Sequence, residues 1–258
     1  INAAAMVGGI HANDRYKAEF IFNNLSIQSN IIHSSYVNNV KHMIFLGSSC
    51  VYPRNCKQPI KEEYLLSDQL EFTNEPYAIA KIAGIKLCEN YYRQYGDNFI
   101  SVMPNNLYGT NDNFDLKNSH VLPALMRKFH EAKIKNAELV EAWGTGNPLR
   151  EFLHVDDLAH ACVYLLKIFD ADELYNGGIS HLNIGSGEEV SIKELAISIK
   201  NVVGYKGDLI FNSDYPDGTP RKLLDVSRLN ALGWESKIKL DVGLKSVYKW
   251  YVDNLPLD

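Results

Sequence analysis

Two short apolar runs, HMIFLG at 42–47 and FISVM at 99–103, flank a long helical stretch, NEPYAIAKIAGIKLCENYY, that opens at Asn74. Neither run alternates polar and apolar residues. A strand buried on both faces reads this way, and such strands belong to parallel sheets with helices on each side. The spacing therefore predicts an α/β chain built on a parallel sheet.

The rest of the chain keeps that alternation. RYKAEFIFNNLSIQSNIIHSSYVNNV has helical spacing at Phe22, Leu25, Ile32 and Tyr36. In the next helix Asn74 or Glu75 is the expected cap, with Pro76 in the first turn and Gly96 at the end. FISVMPNNLYG reads as one strand running into a loop, and the opening INAAAMVGG reads as the end of a strand. Further on, VLPALMRKFHEA is a helix and LVEAWGTG a strand and turn. REFLHVDDLAHACVYLLKIF is a strand leading into a helix headed by Asp156 and Asp157, and HLNIGSG is a strand. SIKELAISIKNVVG opens with Ser191 and Glu194 in capping-box spacing. DVGLKSVYKWYVDN closes the chain as an amphipathic helix. No repeat, linker or low-complexity tract interrupts this order.

A net charge of -5 and a pI near 5.9 give no basic field for nucleic acid or an anionic membrane. No apolar run is long enough to span a bilayer, and the first residues lack a signal-peptide pattern. Cys50, Cys56, Cys88 and Cys162 form no zinc-type spacing with each other or with His, so no metal is expected. Reduced thiols in a cytoplasmic enzyme fit this usage best, with Cys88 and Cys162 in the core.

In an open parallel sheet, ligands bind outside the carboxyl ends of the strands. The first run ends at Ser48-Ser49-Cys50 and the second at Pro104-Asn105-Asn106, so both deliver polar groups to one crevice. Tyr77 and Lys81, four apart on the intervening helix, share a face. A hydroxyl, a phenol, an ammonium and a thiol would then converge. Carbonyl reduction needs such a set: hydride addition creates an alkoxide that must be protonated. Tyr ordinarily titrates near 10, and a neighbouring ammonium is expected to favour its phenolate. Each residue also has a plainer reading. Tyr77 and Lys81 could be an ordinary helix pair, Cys50 a structural thiol, His120 a loop residue, Trp143 a core residue and Arg150 a surface ion-pair residue. Asp156 and Asp157 read as helix-start residues. His154, His160 and His181 read as structural, and Arg221 with Lys222 as a solvated pair.

FLGSSCVYP, NEPYAIAKIAGIKLCE, NLYGTNDNFD, NSHVLPALMRKFHEAK, WGTGNPLREFLHVDDLA and PDGTPRKLLDV together resemble the GDP-L-fucose synthase family, extended short-chain dehydrogenase/reductases. The likeness runs from the first residues to the last helix. It implies a Rossmann-type parallel sheet with a smaller α/β C-terminal substrate domain. Residues 1–107 would form a partial NADP-binding domain. Residues 108–258 would be mainly substrate-binding, with segments near 150–185 returning to the Rossmann sheet. The family's two N-terminal βα units and their glycine-rich turn are not in this sequence. It further implies NADP(H) as cofactor, a GDP-sugar substrate, and a homodimer formed through segments 15–40 and 77–95.

The implied reaction has two stages at one site: 3,5-epimerisation of GDP-4-keto-6-deoxy-D-mannose, then 4-reduction to GDP-L-fucose. By matching motif positions, Ser48, Tyr77 and Lys81 would serve reduction, with Cys50 as base and His120 as acid in epimerisation. Leu46, Gly47, Ser48, Ser49, Tyr77, Lys81, Pro104, Asn105, Asn106, Leu107 and His120 would touch the cofactor. Lys128, Trp143, Arg150 and Asp217 would meet the nucleotide-sugar. Asn105 stands where the family has Thr, and Lys128 where it has Arg. The rivals are a 4-epimerase or 4,6-dehydratase of the same superfamily, and a non-catalytic GDP-sugar-binding fragment.

Overall fold

The computed structural model describes residues 1–116, 118–215 and 217–254, so Lys117, Pro216 and the last four residues of the expected C-terminal segment lie outside the described residues. In chain order the elements are α1 (Ile10–Arg15), α2 (Lys17–Val37), β1 (His42–Leu46), α3 (Glu75–Tyr95), β2 (Asn98–Pro104), β3 (Asn106–Tyr108), α4 (Val121–Ile134), β4 (Leu139–Trp143) and β5 (Leu149–His154). Then come α5 (Val155–Ile168), α6 (Ala171–Asn176), β6 (Leu182–Ile184), β7 (Glu189–Ser191), α7 (Ile192–Val203), β8 (Asp208–Asn212), β9 (Arg221–Lys222), α8 (Ser227–Ala231) and α9 (Leu240–Asp253).

β1, β2 and β6 form a parallel sheet in that order, with Ile44 opposite Ile100 and Val102 opposite Leu182. Both faces are covered, as the unbroken apolar runs require. Met43, Phe45, Phe99 and Met103 pack into a core that includes Ile32 of α2 and Ile82, Ile85 and Cys88 of α3. Ile44, Ile100 and Val102 point the other way, into Leu158, Cys162 and Leu165 of α5. Of the opening segment only Asn2 pairs with β1, bridging to Phe45.

The strand expected at 99–103 is β2, and the loop expected after it holds a second short strand, β3. Asn105 separates the two, and β3 leaves the first sheet to pair with β5, which also carries β7 and β9. β4 and β8 form a separate parallel pair. β7 to β9, α1, α6 and α8 carried no clear sequence pattern. A third core holds Leu125, Met126 and Phe129 of α4 against Leu195, Ile199 and Val203 of α7 and Leu244 of α9.

The capping box at Ser191 and Glu194 is present, and Gly96 ends α3 in the left-handed region at φ 76°. The stripe read on α2 needs correcting. Phe22 is 69% exposed, and the buried face is Phe20, Asn24, Gln28 and Ile32. Asn24 and Gln28 can be buried because their amides donate to the carbonyls of Met6 and Phe20 and of Ala80. Hydrophobic spacing does not register such a face.

Candidate active site

β1 ends against β2 with no room for a side chain. The Gly47 N–H donates to the Val102 carbonyl at 2.9 Å, and a Cβ at Gly47 would lie 2.0 Å from Met103 Cε. The chain then turns through one 3-10 turn, Ser49–Val51, with Ser48 Oγ accepting from the Cys50 N–H at 3.3 Å. The turn sends Ser49 inward, where its hydroxyl donates to Asn105 Oδ1 at 3.2 Å. It leaves Cys50 half-buried, with Sγ receiving Asn74 Nδ2 at 3.3 Å and Lys222 Nζ at 3.9 Å. Asn74 does occupy the N-cap position of α3, but its side chain caps nothing and turns to the thiol instead.

Tyr77 and Lys81 both point from the start of α3 toward this turn. The Tyr77 hydroxyl lies beside Ser48, and Phe20 of α2 meets its ring edge-on at 6.2 Å. Burial pushes the phenol well above its ordinary range, Cys50 adds to this, and the neighbouring Ser48 opposes it. The expected pull of the ammonium toward the phenolate is thus outweighed by burial, which favours the neutral hydroxyl. The Lys81 ammonium lies 5.9 Å from the Tyr77 ring centroid and donates to the Leu46 carbonyl at 2.7 Å. Burial lowers it to about 8.

Pro104 and Asn106 end β2 and begin β3, and Leu107 packs beside the α5 core. Asn105 does not offer its amide to the crevice. Its Nδ2 donates to the Glu151 carboxylate and to the Lys222 carbonyl, while its Oδ1 accepts from Ser49 and from the Asn106 N–H. Glu151 is fully buried and accepts from Asn105, from the Leu224 N–H at 3.0 Å and from the Gly187 N–H at 2.7 Å. Burial raises its pKa against those donors. This carboxylate ties three walls of the crevice together. A single acid among apolar residues in LREFLH was the only sequence signal for it.

The four residues expected to meet the nucleotide-sugar lie around the β4–β8 pair. β4 alternates exposed and buried residues, so Trp143 falls on the outer face, not in the core. The Lys128 ammonium lies 4.8 Å from its ring centroid and donates to the Glu141 carbonyl at 3.0 Å. Arg150 gives one N–H to the Leu149 carbonyl at 2.8 Å and, among the described residues, has no carboxylate within ion-pair distance. It is therefore not a surface ion-pair residue. Burial lowers its pKa, with Asp217 and Cys50 opposing. Asp217 is itself a clip: its two oxygens accept from the Thr145 N–H and hydroxyl, each at 2.7 Å. Arg221 and Lys222 part company. Arg221 pairs with Glu189 at 2.6 Å, whereas Lys222 faces Cys50 and is not the solvated residue expected.

His120 precedes the first residue of α4 and makes no hydrogen bond to Cys50 among the described residues. The residue is exposed, yet crowding around the imidazole lowers its pKa, with Asp112 opposing. Its neighbours lie against α1, where the Gly9 N–H donates to the Asn118 carbonyl at 3.0 Å. A Cβ at Gly218 would lie 3.3 Å from Ile10 Cδ1 and 3.7 Å from an Arg150 nitrogen. The α1 turn thus sits between the His120 segment and the Arg150 side of the crevice. The three histidines read as structural each have a partner within the fold: His154 Nδ1 accepts from the Asp156 N–H, His160 accepts from Trp234, and His181 meets the Tyr52 hydroxyl.

Ser48 and Cys50 after β1 and Tyr77 and Lys81 at the start of α3 thus share one edge of a parallel sheet. Residues 1–185 match the NAD dependent epimerase/dehydratase family, and the chain belongs to it. It is 59% identical over 255 residues to the putative GDP-L-fucose synthase 2 of Arabidopsis thaliana, covering 99% of this chain and 76% of that protein. It is 56% identical over 254 residues to the GDP-L-fucose synthase of Escherichia coli (strain K12), covering 98% and 79%. Among solved structures, MlghC, a GDP-mannoheptose C4 reductase from Campylobacter jejuni with NADP bound, superposes with a TM-score of 0.88. The two are 45% identical, over 97% of this chain and 80% of that one.

Proposed function

We infer that the chain is a GDP-L-fucose synthase, an NADP-dependent enzyme that epimerises GDP-4-keto-6-deoxy-D-mannose at C3 and C5 and reduces it at C4. The carrying observation is identity of 56–59% to synthases over nearly the whole chain, together with Ser48, Cys50, Tyr77 and Lys81 at one sheet edge. A dehydratase would carry an acidic pair where this chain has Ser49 and Cys50, so that rival is not favoured. Nor is the binding fragment, since both relatives are named as synthases.

The crevice residues fit the nicotinamide end of the cofactor. Gly47 packs tightly against Met103 and so fixes where Ser48 leaves the strand, and Lys81 has donors left beyond the one on Leu46. NADP(H) supplies the hydride for C4. Tyr77, beside Ser48 and kept protonated by burial, donates the proton that the C4 oxygen needs, and Ser48 orients that oxygen. For epimerisation, the C4 ketone acidifies C3–H and C5–H. Cys50 takes each proton from one face and His120 returns one from the other. Arg150 and Lys128 hold the diphosphate, and Trp143 takes the base.

We assign residues 1–107 to the cofactor part and most of residues 108–258 to the substrate part. Phe22, Val37 and Tyr95, exposed by 69%, 58% and 49% on α2 and α3, support a homodimer through those helices. A monomer in light scattering would reject it. Four free cysteines suit a cytoplasmic enzyme, and among the described residues no helix is long and apolar enough to cross a membrane.

Incubation with GDP-4-keto-6-deoxy-D-mannose and NADPH should oxidise NADPH and yield GDP-L-fucose. In heavy water Cys50→Ser and His120→Ala should each suppress deuterium uptake at C3 and C5. Uptake that survives both changes rejects the epimerase roles, whatever happens to NADPH.

A further inference from the structure

The outer face of the β4–β8 pair carries an aromatic stack. Trp143, at the end of β4, and Tyr215, in the loop after β8, have ring centroids 4.5 Å apart and planes 10° from parallel. Both stay at the surface, 46% and 40% exposed. Trp143 is fixed by the β4 ladder, where it sits opposite Asn212. Tyr215 is held differently. Its loop is pinned on each side, by the Tyr215 N–H on the Asn212 carbonyl at 3.4 Å and by Asp217 on Thr145. Among the described residues its hydroxyl has no partner, so the ring is held by the stack itself. The same loop reaches the Arg150 guanidinium: Asp217 faces it electrostatically, and Gly218, at φ 72°, lies beside it. A half-buried guanidinium with unused donors suits an anion, and Lys128 adds a second cation at the Trp143 ring. One short loop thus joins an anion site to an exposed aromatic pair, the two halves of a nucleoside diphosphate.

We propose that Tyr215 is the movable wall of the nucleobase subsite, parting from Trp143 to let a purine base stack between the two rings. The proposal rests on the GDP-sugar reading above. At the observed spacing nothing fits between the rings, so one must move. Trp143 is locked in a strand and Tyr215 is not, so Tyr215 moves, with Gly218 giving the loop its freedom on the Arg150 side. Stacking is indifferent to hydrogen-bond pattern but grows with ring area. The wall therefore favours a purine over a pyrimidine nucleotide.

Calorimetry on the whole chain tests this with GDP, UDP and NADPH as ligands. Tyr215→Ala should weaken GDP binding about tenfold, the scale of one base–aromatic stack. It should leave NADPH affinity unchanged and narrow the preference for GDP over UDP. Tyr215→Phe, which keeps the ring, should bind GDP like the wild type. GDP affinity that is unchanged or tighter in Tyr215→Ala overturns the proposal, the tighter result showing a ring that merely competes with the base. A wild-type chain that binds NADPH but no GDP overturns the GDP-sugar reading itself, and the wall with it.

Discussion

Arg228 and Arg150 are both guanidinium groups at the edge of the C-terminal half, and their surroundings differ. Arg228 pairs with Glu62 and Glu63, and its pKa is pushed up, chiefly by the Glu63 hydrogen bond. Around it every group is matched. The Glu62 carboxylate also accepts from the Asn183 N–H at 3.1 Å, and the Asn183 amide donates to the carbonyls of Ile60 and Asp225. The Tyr52 hydroxyl meets both Asn183 and His181, the latter held neutral by burial that lowers it to about 3. Arg150 has none of this, and neither do Lys81, Lys128 and Lys222: among the described residues none of the four reaches a carboxylate within ion-pair distance. The first cluster joins the segments at 60, 183 and 228 into a frame. The second leaves donors free for a ligand. The difference predicts that damage to the frame costs stability and damage to the crevice costs turnover.

The largest effect is expected at Tyr77. Tyr77→Phe removes the proton donor and should slow NADPH oxidation by about 10²- to 10⁴-fold. Deuterium uptake at C3 and C5 should continue, because neither Cys50 nor His120 is touched. Loss of uptake to the same degree would mean that Tyr77 serves both stages. The melting temperature should barely move, since the ring and its edge-on contact with Phe20 remain.

Arg228→Ala tests the other side. It leaves the Glu62 carboxylate, 2% exposed, without its cation. Breaking such a pair costs about 3 kcal/mol or more, read as a lower midpoint in chemical denaturation. Specific activity per folded molecule should be retained. A variant that melts normally but turns over slowly would erase the distinction drawn between the two regions.

Legibility in the residues divides between local and distant partners. The β1 and β2 runs, the Ser191–Glu194 box and Gly96 all announce themselves within a few positions, because strand burial and helix ends are local properties. Ser48, Cys50, Tyr77 and Lys81 were also legible, since strand ends and one helix face fix where they go. The buried amides were not. Gln28 is satisfied by a carbonyl 52 residues away, and Asn105 by a carboxylate 46 away. Lys222 escapes a sequence reading for the same reason: its sulfur partner lies 172 residues earlier, and nothing in PRKLLDV points to it. The expected pull of Lys81 on the Tyr77 phenol failed differently. Spacing puts Lys81 near the ring, but the ammonium turns to the Leu46 carbonyl, and burial pushes the phenol the other way.

The crevice should also show itself in pH dependence. The Lys81 ammonium titrates near 8 because burial disfavours its charge, while Tyr77 stays protonated well above that. Reduction that needs the cation should fall as pH rises through about 8, to roughly a tenth one unit higher. Single-turnover NADPH oxidation at saturating substrate measures it. Lys81→Met should give a low rate that no longer changes across that window. A wild-type profile flat to pH 9 would mean that the positive charge is not used.

The smallest and sharpest contrast lies in two adjacent residues. Arg221 and Lys222 share β9, yet one points to Glu189 and the other to the Cys50 sulfur at 3.9 Å. Arg221→Ala should cost no more than about 1 kcal/mol, the usual worth of a pair exposed on the surface, and leave both stages of the reaction intact. Lys222→Met should do the reverse. Stability should hold, because the methionine stem can pack as the lysine stem does. Deuterium uptake at C3 and C5 should slow by about tenfold, because negative charge arising on sulfur loses a neighbouring ammonium. Lys222→Arg should recover part of that rate. If Arg221→Ala were the slower catalyst of the two, the division between frame and crevice would not run through β9.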